Sequence, residues 1–160
     1  MRKLIIPTVT STGNKRNDYY LINGCPDLAV LPQGLLKGVN DDTEMPIRLP
    51  YGNMTFGAQH IATYPDRMKW IKKFEPSGCI TTFIWRKLQE RGDIYSVEDE
   101  KKTILLRITP STLVVLKPQQ GFFSITTFYP FENRKPSGKR EKVYDGRIWG
   151  TKLVADDDTK

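Results

Sequence analysis

Residues 93–131 read DIYSVEDEKKTILLRITPSTLVVLKPQQGFFSITTFYPF, and their hydrophobic period decides the fold. Ile104, Leu106 and Ile108 alternate with Thr103, Leu105, Arg107 and Thr109, a period of two that belongs to a strand. The whole stretch divides into four candidate strands, DIYSVED, KKTILLRIT, STLVVLKP and GFFSITTFYPF. Asp99-Glu100, Pro110-Ser111 and Pro118-Gln119-Gln120-Gly121 separate them as turn signals. Such short connections leave no room for helical crossovers, so the strands are expected to form an antiparallel meander.

Upstream of Gly92 the period lengthens. Phe56, Ile61, Tyr64, Met68, Ile71 and Phe74 lie near helical spacing, giving one helix or two short ones with Pro65 as the break. CITTFIWRKLQERG, residues 79–92, reads as the next helix: Ile80, Phe83, Ile84 and Leu88 form a stripe, and Arg86 and Lys87 suit its C-terminal end. The expectation is an α+β fold, two helices followed by a four-stranded antiparallel meander, with the helices on one face of the sheet and the other face free to hold a site. Frequent proline and glycine make residues 1–50 an irregular arm or linker, with short extended pieces such as LIIPTVT and DYYLIN. Residues 51–150 form the α+β domain, in which residues 131 onward read as a basic hairpin or extension, and 151–160 are an acidic tail.

The chain of 160 residues carries a net charge of +7, unevenly spread. From Asp66 to Arg91 seven Lys/Arg face three acids, and from Arg134 to Arg147 six face two. Two such segments suit a phosphate backbone, while solubility or an acidic protein partner are competing uses of the same charge. Trp70, Trp85 and Trp149 lie among the basic residues, either stacking on unpaired bases or buried. No run approaches the ~18 apolar residues of a membrane span, and MRKLIIPTVTSTG lacks the apolar region of a signal peptide, so any export depends on something other than this N-terminus. Cys25 and Cys79 fit no CxxC pattern and read as free thiols; with a single histidine they make no recognised zinc site. GxxxxGK[ST], GxGxxG and GxSxG are all missing, which removes support for nucleotide hydrolysis, dinucleotide redox chemistry and the usual serine hydrolase.

His60, in FGAQHIATYP (residues 56–65), is the one imidazole, which taken alone is a structural side chain more often than a catalytic one, though it is also suited to acid–base chemistry near neutral pH. The glycines of YGN (51–53) and Gly57 could admit a foreign backbone or phosphate to the helix start. On the last strand, Thr127 and Tyr129 share a face with Ile125, opposite Ser124, Thr126 and Phe128, and offer two donors to one phosphate. β-propensity alone also explains such a run. Arg107, a cation inside ILLRIT, either covers the sheet with its stem or aims its guanidinium at an anion.

FGAQHI at 56–61, GDIY at 92–95 and ITTFYP at 125–130 together resemble the barnase–EndoU–colicin–RelE superfamily of small ribonucleases. The likeness spans about Gly52 to Pro130 and is greatest to the toxin branches, the C-terminal domains of contact-dependent growth-inhibition proteins and related phage-encoded nucleases. It implies RNA cleavage without metal or cofactor: the 2′-hydroxyl attacks phosphorus, leaving a 2′,3′-cyclic phosphate and a 5′-hydroxyl. His60 matches the family's helix histidine, as acid or base. Thr127 and Tyr129 match the terminal-strand pair, Tyr129 also as a proton donor. Arg107 is added for charge stabilisation, and Lys72, Lys73, Thr126, Arg86 and Lys87 as substrate contacts. Many members carry a second histidine one turn on; here that region reads ATYPDRM, so another group must be the second proton carrier. The resemblance further implies transfer RNA as substrate, a dedicated immunity protein, a host activating protein as a further candidate partner, and delivery from a secreted or surface protein into the cytoplasm of a target bacterium. A non-catalytic nucleic-acid-binding module and a phage-borne interaction protein are the competing readings.

Overall fold

The fold was described from a computed structural model over residues 7–90, 92–97, 102–108 and 112–130, with 140–144 in backbone only. Two short strands, β1 (Val9–Ser11) and β2 (Tyr20–Ile22), pair with each other antiparallel. Then come β3 (Ala29–Leu31) and β4 (Met45–Arg48), and three helices, α1 (Gly57–Ala62), α2 (Pro65–Phe74) and α3 (Ile80–Lys87). The chain continues through β5 (Gly92–Val97), β6 (Ile104–Ile108), β7 (Thr112–Pro118), β8 (Phe123–Tyr129) and β9 (Arg140–Tyr144). Seven strands form one sheet in the order β3-β4-β8-β7-β6-β5-β9.

The molecule is therefore mixed α/β, and the expected two helices with a four-stranded antiparallel meander are not its architecture. The strands β5 to β8 do run antiparallel in sequence order. But the sheet extends past both edges, by β9 beside β5 and by β4, which pairs with β8 in parallel through Ile47 and Arg48. Nor are residues 7–50 an irregular arm. Their strands are only three or four residues long: β1, β2 and β3 fit between the prolines and glycines that argued against regular structure, and β4 takes Pro46 within it. Asn40, fully buried, ties the intervening loop: its side chain donates to the Pro32 carbonyl at 2.8 Å and accepts from the Leu36 N–H at 3.0 Å.

Pro65 does not kink one helix but starts another, at a position where its missing N–H is no loss. Asp66 in the first turn and Lys72 and Lys73 in the last complement the α2 dipole. Helix α3 is buried almost all round, from Thr81 to Trp85, and its Phe83 meets Phe128 of β8 at 5.3 Å between ring centroids. The main core lies between this helical layer and one sheet face, with Ile104, Leu106, Val114, Leu116, Ile125 and Phe128 pointing into it.

The opposite face is not open either. Val97, Leu105, Leu113 and Val115 form a second buried cluster there, flanked by Tyr95 and Tyr129. The runs ILL and LVVL anticipate this, because strands covered on both sides need not alternate.

Cys25 and Cys79 are free and half-buried. Among the described residues, no helix is long and apolar enough to cross a membrane. Trp149, the acidic tail and most of the second basic segment lie outside the described residues.

Candidate active site at the edge of strand β8

Pairing of β4 with β8 reaches only Ser124, and α1 packs beside the rest of the strand. That helix is anchored from outside itself. The N–H groups of Ala58 and Gln59 donate to the carbonyls of Pro50 and Tyr51 at 3.0 and 2.9 Å, and the Asn53 N–H donates to Phe56 at 3.0 Å. Gly52 and Gly57 both take positive φ, +77° and +80°, and pass so close that a β-carbon on either would meet backbone. The glycines thus admit the chain's own loop, and two donors of the helix start, those of Ala58 and Gln59, are spent on it where a phosphate was expected to approach.

The same loop fixes His60. Its Nδ1 lies 2.8 Å from the Met54 carbonyl oxygen, so Nδ1 carries the proton and donates, leaving the Nε2 lone pair outward. Nε2 faces Arg67 Nη1 at 3.3 Å, and the same nitrogen donates to Thr127 Oγ1 at 3.0 Å. The guanidinium lies 3.9 Å from the centroid of Tyr64 and 4.8 Å from that of Tyr129. His60 and Tyr64 also meet edge to face, at 5.1 Å. Five side chains from α1, the α1–α2 turn, α2 and β8 thus converge on one point. Arg67 and Thr127 are nearly sealed there, 5% and 4% exposed, while His60 and Tyr129 are half-buried and Tyr64 is exposed.

A bulge in β8 makes this geometry. Val115 opposes Thr127 but the next residue, Leu116, opposes Ile125, so Thr126 is the extra residue. Simple alternation placed Ile125 with Thr127 and Tyr129; instead Ile125 joins Phe128 in the main core, and Thr127 and Tyr129 turn to the other side.

His60, Thr127 and Tyr129 are brought together. The remaining candidates are not. Lys72 and Lys73 stand on the last turn of α2, about 8 Å further along the axis than Arg67; Lys73 lies over Trp70 and Phe74. Arg86 pairs with Glu75 at 3.1 Å, and Lys87 pairs with Glu90 at 3.2 Å beneath the Phe74 ring. Arg107 is exposed on β6, in one cross-strand row with Leu113 and Tyr129, so about 10 Å separates its strand from β8. Thr126, the bulged residue, lines a neighbouring cleft and makes no contact with the cluster among those described. Trp85 is in the core, and Trp70 packs against it while its Nε1 donates to Thr112 Oγ1 at 3.4 Å. The sequence reading missed Arg67 and Tyr64, the first counted only as one cation among seven.

Against protein-family models, curated proteins and solved structures the chain gives no match.

Proposed function

We propose that this protein is an endoribonuclease whose active centre is the His60–Arg67–Thr127–Tyr129 cluster, cutting RNA by attack of a 2′-hydroxyl on the adjacent phosphorus. One observation carries the reading: a single guanidinium nitrogen lies within hydrogen-bonding reach of both the imidazole and the strand hydroxyl. A non-bridging phosphate oxygen entering there replaces these neighbours with a charge-assisted bond to Arg67, while Thr127 Oγ1 donates to a second oxygen. His60 Nε2, freed from Arg67, accepts the 2′-hydroxyl proton as the new oxygen–phosphorus bond forms. The bond from phosphorus to the 5′-oxygen breaks, and Tyr129 supplies the proton to that leaving oxygen. The products are a 2′,3′-cyclic phosphate and a 5′-hydroxyl, and no metal takes part. On this reading the tyrosine takes the role of the second histidine carried by many members of the superfamily that the sequence resembles. By the same resemblance the substrate is transfer RNA, the biological role is that of a toxin delivered into a target bacterium, and an immunity protein neutralises it by covering the cluster.

The test is incubation of purified protein with total transfer RNA in EDTA at low and moderate salt. Fragments ending in 2′,3′-cyclic phosphate are expected, and His60→Ala should slow their appearance by about 10²–10⁴-fold with little change in RNA affinity. Intact RNA at both salts, or a His60→Ala protein that cuts as fast as wild type, removes the enzyme and leaves a binding module.

A further inference from the structure

Beside β8 lies a cleft of about 810 Å³ that the catalytic reading leaves unused. We infer that it is a subsite for an unpaired nucleotide flanking the cut, a conclusion that rests on the ribonuclease reading for its choice of RNA over other polyanions.

Position comes first. Thr126 lines this cleft, and the next residue, Thr127, holds Arg67 in the cluster. Thr55 also lines it, beside the Met54 carbonyl that orients His60. Cleft and cluster therefore share one bulged strand and one loop, so a strand of RNA whose phosphate sits at Arg67 has its neighbouring nucleotide at the cleft mouth.

Chemistry comes second. Two rings, Tyr19 and Phe122, line the cleft and meet edge to face at 5.3 Å between centroids. They are held in place: the Arg48 guanidinium lies 5.6 Å from one centroid and 5.0 Å from the other, and Asp27 pins that guanidinium at 2.7 Å. A fixed pair of half-buried rings loses little freedom when a base stacks on it, and stacking tolerates any base. Asn17, Gln119 and Gln120 add amides that both donate and accept, as the edge of a base requires. Arg16 and Lys117 supply positive charge for the backbone, and no carboxylate is among the lining residues.

The experiment uses a fluorescein-labelled 2′-O-methyl hexanucleotide, which has no hydroxyl to attack and reports binding without cleavage. Tyr19→Leu and Phe122→Leu keep apolar bulk and remove the ring. Each should weaken hexanucleotide binding by about tenfold while changing affinity for duplex RNA by less than about twofold. Thermal melting checks that each variant is folded, and Gln120→Ala, at an exposed position, gives a second reading if either is not. Leucine variants that bind like wild type, or that lose single-stranded and duplex RNA equally, overturn the subsite. The two proposals fail separately. A protein that cuts no RNA yet loses the hexanucleotide in Tyr19→Leu keeps the cleft and drops the ribonuclease. One that cuts RNA and ignores Tyr19→Leu does the reverse.

Discussion

Arg67 is the residue on which the candidate chemistry turns, and its guanidinium does three things that an ammonium cannot do together. It lies against two aromatic rings, reaches an imidazole and a hydroxyl with one nitrogen, and carries its five N–H donors in a fixed planar fork. Arg67→Lys should therefore keep the positive charge but lower the single-turnover cleavage rate by about 10²-fold, measured below the melting temperature and normalised to folded protein. If Arg67 only props the helix, the rate per folded molecule will match wild type and only the melting temperature will move. The residue was hidden among basic neighbours. What could have singled it out is its phase: with Ile71 it forms the buried stripe of α2, whereas Lys69, Lys72 and Lys73 face solvent. A cation on the apolar stripe of a helix is the oddity worth noticing, since burying charge without a purpose is costly. His60, Thr127 and Tyr129 were legible because their types are few and their chemistry distinctive. Their contacts with Arg67 were not, since those depend on the turn at Pro65 and the bulge at Thr126.

The short helix α1 owes its place to the loop before it, and so does the imidazole it carries. Gly52 takes φ of +77°, and a β-carbon there would run into the Phe56 carbonyl and approach the Gly57 Cα at 2.9 Å. Gly52→Ala should lower stability by at least about 2 kcal/mol, a left-handed alanine plus a backbone collision, read by urea unfolding. It should also slow cleavage in the molecules that remain folded, because the loop that moves contains the Met54 carbonyl holding Nδ1. Unchanged unfolding would mean that the two glycines are not packed as described. At this scale the sequence was legible where elements are long. The four strands after Gly92 and the Pro65 division of the helices follow from period and punctuation. Extended pieces around β1 and β2 were legible too, but β3 and β4 were not, because three residues, as in AVL at β3, are too few to display a period of two. Their strand character comes from pairing with β4 and β8, a long-range fact that no local window contains.

Among the described residues, charge is sorted by place. A cleft of about 650 Å³ beside β3 and β4 is lined by Asp27, Asp42 and Glu44, whereas the cleft beside β8 has cations and no acids in its lining. Lys69, Lys72 and Lys73 leave the exposed side of α2 basic, on the helix that carries Arg67 at its other end. These lysines do not touch the His60 cluster, so their part in an RNA enzyme is to gather the strand and not to cleave it. Lys69→Gln, Lys72→Gln and Lys73→Gln combined should then separate two quantities that a catalytic role would couple. With His60→Ala as the uncut background, the slope of log affinity against log salt should become shallower by about 2–3, since each phosphate contact contributes about 0.7–0.9. With His60 restored, the cleavage rate at saturating RNA should stay within about twofold of wild type, because affinity no longer limits it. A slope that does not change puts the RNA on another surface, and a saturated rate that collapses moves these lysines into the reaction itself.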